Sequence, residues 1–281
     1  RGRAPQPFSG PRCGRGKGCR GGPGHTSPAG DDGSKGELVL VESREDMSVD
    51  VADLAWKADR TGAQFLVLSH LLCLALNAKE VVDECAARGI AIIEDCADSL
   101  GTWYDGLHIG HRGLICCVSV QPSAVVQCGE GGFAATDDVE LAASMAALAG
   151  CYSAEFRQCF AAPECPALDA IEEGRVPCYS LQMSNVVAAV LRPELASLEA
   201  RVGEANRRHR WLAVRFAALL ELEPELRGAL GVRVPEPPPG ARLCLNSFRL
   251  LATLGPRALG ALLAGARGRG VPLQSAAAGD A

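Results

Sequence analysis

Beyond Lys79 this chain of 281 residues contains no lysine, so chemistry that needs a side-chain amine must draw on Lys17, Lys35, Lys57 or Lys79. Aromatic residues are scarce, at 5% against 48% hydrophobic residues, so the core must be built mostly of Leu, Val and Ala. No Cys-x-x-Cys pair occurs among the 13 cysteines. The nearest spacings, Cys13/Cys19 and Cys159/Cys165, are too loose for a zinc site, and Cys116 and Cys117 are adjacent. The expectation is no metal, with buried free thiols in a reducing, cytoplasmic compartment. A net charge of −5 gives no electrostatic basis for a nucleic-acid partner. The longest apolar run, Phe65 to Ala78, is interrupted by Ser69, His70 and Asn77 and falls short of the roughly 18–20 residues of a membrane span. No membrane partner is expected.

Three segments differ in character. Residues 1–36 are rich in Gly, Pro and Arg and hold almost no large apolar side chains, which predicts a disordered tail. Its arginines are not interleaved with aromatics, which argues against an RNA-binding arm. Residues 37–222 read as a large α/β domain, and residues 223–281 as part of a smaller one. Leu38–Val41, Phe65–Leu68, Ile90–Ile93 and Leu114–Val120 read as strands, and the continuous apolar run Phe65–Leu68 predicts one buried on both faces. Asp50–Asp59 reads as a helix, and Asn77 with Glu80 predicts a capping box for another ending at Gly89. Strand, helix and strand at this spacing predict a βαβ unit in a parallel sheet. A further helix is expected to start at Asp137 and stop at Gly150, and a long amphipathic one to follow Pro193. On the latter's apolar side His209 reads as a partly buried structural residue. Past a linker at Pro235–Gly240, Leu243–Leu251 reads as a strand and Leu259–Leu263 as a helix.

Asp95 directly follows an apolar strand, where open α/β sheets bind ligands. Four segments in order then carry a resemblance. They are His70 after its strand; Glu94-Asp95-Cys96-Ala97-Asp98-Ser99-Leu100-Gly101 with Tyr104-Asp105-Gly106; Ser119-Val120-Gln121-Pro122-Ser123-Ala124 with Gly129-Glu130-Gly131-Gly132; and Pro177 to Asn185. Over residues 37–275 the chain resembles the DegT/DnrJ/StrS family of pyridoxal-phosphate-dependent sugar aminotransferases. The resemblance implies a PLP-transferase fold of type I, with a mostly parallel large-domain sheet and an incomplete smaller α+β unit. It also implies pyridoxal phosphate as cofactor, a nucleotide-linked keto-sugar as substrate in amino-sugar or polysaccharide biosynthesis, and a homodimer. Asp95 matches the aspartate that pairs with the pyridine nitrogen, Ser119 a serine on the cofactor phosphate, and Gly129, Gly131 and Gly132 a turn passing close to the site.

The departures are as specific. Ala124 stands where the family carries its Schiff-base lysine, or histidine in some dehydratase relatives. Asp98 stands where glutamine or histidine lies near the cofactor hydroxyl. Ser180 replaces an asparagine that reaches the partner subunit's phosphate, and Gln182 replaces arginine. No N-terminal phosphate loop is recognisable, His25-Thr26-Ser27-Pro28 being a poor substitute. Lys57 and Lys79 fall on helices ahead of Asp95. The expected function is therefore a family member impaired in its chemistry. The alternatives are an active enzyme represented by an incomplete sequence and a non-catalytic α/β partner or binding protein.

Overall fold

The computed structural model describes residues 36–71, 77–151, 166–175, 177–225, 228 and 231–275. The chain divides into two units, Arg1–Leu40 and Val41–Ala281, and every element named here lies in the second. The expected tail, with Lys17, Lys35 and His25–Pro28, falls outside the described residues, apart from Gly36. So do Cys13, Cys19, Cys159 and Cys165.

The strands are β1 (Phe65–Ser69), β2 (Ala91–Asp95), β3 (Trp103–Tyr104), β4 (Leu107–His108), β5 (Ile115–Ser119), β6 (Gly132–Ala135) and β7 (Ala241–Arg242). The helices are α1 (Val51–Thr61), α2 (Ala78–Arg88), α3 (Val139–Leu148), α4 (Pro166–Glu172), α5 (Asn185–Ala196), α6 (Leu198–Leu222) and α7 (Pro256–Gly268). One sheet has the order β1-β2-β5-β6, with β1, β2 and β5 parallel and β6 antiparallel. A small antiparallel sheet has the order β4-β3-β7.

Local signals set the helices. The Asp50 carboxylate accepts the Ala52 and Asp53 amides at 3.0 and 3.1 Å and so satisfies two orphan donors of α1. Gly62 and Gly89 close α1 and α2 in the left-handed conformation. Leu54 and Ala58 of α1 and Val81 and Cys85 of α2 pack on Leu68, Ile90 and Ile92. A second cluster joins Cys96, Cys116, Val118, Val120 and Val126 to Leu191 of α5. Free thiols are part of this core, with Cys85, Cys96, Cys116 and Cys244 buried.

Several expectations are corrected. Leu38–Val41 forms no strand; the nearest pairing is an isolated bridge, Ser43 to Val49. β1 is not buried on both faces. Among the described residues it is an edge strand with one face uncovered, so Phe65 and Val67 are 62% and 65% exposed while Leu68 points into the core. Asn77 sits at the N-cap of α2 as expected, but its side chain makes no cap bond: Oδ1 accepts from Val49 N at 3.1 Å, and Nδ2 donates to Val49 O at 2.9 Å and to Glu80 Oε2 at 3.1 Å. The helix expected after Pro193 begins at Leu198, since Pro193 and Leu195 belong to α5 and Ser197 Oγ donates back to Glu194 O at the break. Leu243–Leu251 forms no strand because side chains take its main-chain bonds. Asn206 bonds both Leu243 O and Leu245 N at 2.9 Å, and Thr102 Oγ1 accepts from Cys244 N at 3.1 Å.

Two half-buried histidines make stability depend on pH. His108 accepts the Gly101 amide at Nε2 (2.9 Å) and meets Trp103 edge-on; His209 packs on Phe248 with centroids 5.2 Å apart. Burial lowers both imidazoles from their ordinary value of 6.5. The unfolded chain therefore binds protons first as pH falls through that value, which favours unfolding. The urea midpoint is expected to be lower at pH 5.5 than at pH 7.5, and an unchanged midpoint would count against buried neutral rings.

Candidate functional site

Parallel register brings three side chains together at the carboxyl ends of adjacent strands. Ser69 pairs with Asp95, and Asp95 with Cys117, which places Ser119 one pleat further along β5 on the same face. The Asp95 carboxylate is held as an acceptor. Its Oδ2 takes the Ser69 hydroxyl at 2.8 Å and its Oδ1 the Ala97 amide at 3.1 Å. Ser119 Oγ accepts only a long bond, 3.4 Å, from Gln121 N.

Beneath this face lies Glu94, a fully buried carboxylate. His70 Nε2–H donates to its Oε1 at 2.8 Å, as does Gly110 N at 3.1 Å. The amides of Arg112 and Gly113 donate to Oε2 at 2.8 and 2.6 Å. Burial alone would raise this carboxyl, but the His70 bond and the Gly113 and Arg112 amides outweigh it and hold it below the usual carboxylate range. Glu94 thus fixes both His70 and the 110–113 turn around the strand that carries Asp95. In sequence Glu94 stands only as part of the motif around Asp95, with no role assigned; a glutamate directly after the apolar run Ala91–Ile93 was the available signal.

Residues 120–131 form the loop between β5 and β6, closed by Val120 N to Gly131 O (3.1 Å) and Cys128 N to Val120 O (3.0 Å). Gly129 has φ 93°, and the next strand starts at Gly132, where a Cβ would lie 2.4 Å from Val118 O. Ala124 is buried at the loop's tip, its amide donating to Gln121 O at 2.9 Å. It borders a cavity of about 710 Å³ whose other walls include Arg201, Arg208, His209, Asn246 and Phe248. Asp95 and Ser119 lie outside that wall. Asp98 is exposed in the turn after β2. Ser180, with φ 50°, lies on a segment bonded to the end of α3 through Tyr179 N to Leu148 O and Leu181 N to Ala149 O, both 2.9 Å. The structure thus places Asp95 and Ser119 on one face of adjacent strands, two residues out of register, and Ser180 on the segment after α3.

The two described lysines are engaged elsewhere. Lys57 Nζ bonds Asp53 at 2.8 Å on α1, and Lys79 Nζ bonds Asp83 at 2.6 Å on α2.

The sequence pattern of the DegT/DnrJ/EryC1/StrS aminotransferase family matches residues 36–227. The chain belongs to that family. Among its relatives, the L-glutamine:2-deoxy-scyllo-inosose aminotransferase of Streptomyces fradiae is 30% identical over 176 residues, covering 62% of this chain and 38% of that enzyme. Protein MosB of Rhizobium meliloti is 36% identical over 80 residues, 28% of this chain and 16% of MosB. The family's solved structures share the type I fold. An aminotransferase from Brucella abortus superposes with TM-score 0.62 at 23% identity, over 83% of this chain and 57% of that one. GDP-4-keto-6-deoxy-D-mannose-3-dehydratase from E. coli, solved with bound hydrated PLP, gives 0.62 at 18% identity, over 80% and 56%. The chain therefore spans well under half of these curated relatives and little more than half of these solved ones. No helix of the described residues is long and apolar enough to cross a membrane.

The family resemblance implies pyridoxal phosphate, and the residues fit it in part. Asp95 is an oriented acceptor and Ser119 a hydroxyl at a strand end. Position 124 offers a methyl group and no amine.

Proposed function

We propose that this chain is a sugar-aminotransferase-family domain that holds pyridoxal phosphate without a covalent link and does not transfer amino groups. The observation that carries the reading is Ala124 at the tip of the β5–β6 loop, with Lys57 and Lys79 ion-paired on α1 and α2. When bound, the cofactor supplies an electron sink through its protonated ring nitrogen. Asp95, aligned by Ser69 and Ala97, would keep that nitrogen protonated by a charge-assisted bond. Ser119 would donate to the phosphate. Asp98, Gly129 and, across a homodimer, Ser180 complete the set that the resemblance assigns to the cofactor. The ligand class is a nucleotide-linked keto-sugar, as in amino-sugar or polysaccharide biosynthesis. The eight free thiols of the described residues support a cytoplasmic setting.

The test is borohydride reduction of the protein with pyridoxal phosphate, followed by intact mass. The expected result is no adduct at a single site, with equilibrium dialysis still registering reversible binding that Asp95→Asn weakens about tenfold or more, as expected for loss of a bond to a charged group. A stoichiometric adduct on Lys57 or Lys79 would overturn the reading.

A further inference from the structure

Cys96 and Cys116 stand apart from the function proposed above, and their arrangement has its own chemistry. Cys116 lies in β5, and Cys96 is the first residue past β2. The Cys96 amide donates to Cys117 O at 2.8 Å, so the two strands are joined at this point. Both thiols are buried and belong to one core cluster. Gly110 lies directly over them. A Cβ at that position would fall 3.0 Å from Cys96 Sγ and 3.1 Å from Cys116 Sγ, so both sulfurs surround one point that only a residue without a side chain can approach. That glycine sits in the turn pinned by the Glu94 carboxylate. Two thiols that converge on one point from β5 and the end of β2, beneath the Gly110 backbone, are placed for more than apolar packing.

We propose that Cys96 and Cys116 form an oxidisable pair, which a peroxide entering past the Gly110 turn converts into a disulfide that ties β2 to β5. The Cys116 thiolate attacks one peroxide oxygen, the O–O bond breaks to give a sulfenic acid, and the leaving hydroxide takes up the proton that Cys116 gave up on ionising, forming a first water. The Cys96 sulfur then attacks the Cys116 sulfur. The S–S bond forms, the S–O bond breaks, and the oxygen leaves as a second water after taking up the Cys96 proton. Overall, two thiols and one hydrogen peroxide give one disulfide and two waters. The interaction between the two thiols supports this assignment of roles. It raises Cys96, which burial raises further, and brings Cys116 down to about 7. Closure brings the two sulfurs to about 2.05 Å and draws the residue next to Asp95 toward the strand of Ser119.

The experiment treats the folded full chain with hydrogen peroxide, quenches it, unfolds it in N-ethylmaleimide and maps the peptides by mass. The expected result is a linked Cys96–Cys116 peptide pair about 2 Da lighter than the two thiol forms together, with Cys85 and Cys244 alkylated. Dithiothreitol before alkylation should restore both thiols. Cys116→Ser should abolish the link while the cooperative urea transition persists. Because the mapping is made on the unsubstituted protein, it stands even if that variant fails to fold. Full alkylation of Cys96 and Cys116 after peroxide would overturn the proposal, as would a link formed by Cys117 or Cys128 in their place.

Discussion

Ala124→Lys is expected to give a borohydride-reducible pyridoxal adduct on the introduced side chain, approaching one per chain where the parent gives none. Position 124 is buried at a loop tip beside a cavity of about 710 Å³, which leaves room for four methylenes and an amine. The arginines on that cavity's wall are paired with carboxylates, Arg208 with Glu204 at 2.8 Å and Arg201 with Glu194, so they leave the introduced amine to its ordinary reactivity. The turn that holds the site is closed by the Ala124 amide to Gln121 O and by Asn246 Nδ2 to Ser123 O at 3.1 Å. None of these bonds uses the side chain at 124. Ala124→Met, of similar bulk, serves as the control and should give no adduct. An Ala124→Lys protein that folds, binds pyridoxal phosphate and forms no adduct would show that position 124 does not face the ligand. The family alignment of that residue would then be wrong.

Glu94→Ala should cost about 3–5 kcal/mol of folding stability, the range for stripping a buried charge network of one partner. The change orphans the His70 ring and the amides of Gly110, Arg112 and Gly113, all of which converge on this carboxylate. Against a typical domain stability of about 5–15 kcal/mol this is a large fraction, and urea unfolding at neutral pH measures it directly. Glu94→Gln keeps the shape but turns an NH2 toward amide donors, so it should lose less than the alanine variant and more than a surface change. The parent protein has a matching acid response. The Glu94 carboxyl is depressed in the folded state, so its contribution is complete above the ordinary value of 4.5 and is lost as pH falls through the lower folded value. A loss under about 1 kcal/mol for Glu94→Ala would mean that water replaces the carboxylate.

The parts of this molecule that the sequence disclosed are those set by neighbours in the chain. The helix read at Asp50–Asp59 runs from Val51 to Thr61, and the one read as ending at Gly89 ends at Arg88, so local signals placed both to within about two residues. The parallel βαβ order also follows from short-range alternation. What stayed hidden depends on distant partners. That Phe65 and Val67 face outward follows from the sheet face that carries them being uncovered among the described residues, which the apolar composition of β1 does not encode. Asn77 stands at the cap position, but Val49, 28 residues away, draws off its side chain. Leu243–Leu251 has strand composition, but Asn206 and Thr102 take its hydrogen bonds.

The candidate site divides in the same way. Asp95 was legible because a carboxylate at the end of an apolar strand has few structural explanations. Ser119 and Ala124 were legible only through the resemblance. Glu94, next in line to Asp95, was not, because its four donors come from residues 16–24 positions away.

Sheet order also sets which part of the molecule opens last. Among the described residues of the larger sheet, β2 and β5 have a bonded strand on each side, whereas β1 and β6 are its edges. Amides of the central strands that face an edge are released when that edge peels away, whereas those bonded between β2 and β5 exchange only when the inner ladder itself opens. Asp95 and Ser119 ride on those two central strands. The spacing between their side chains therefore outlives partial openings that release Ser69 on one edge or Gly132 on the other.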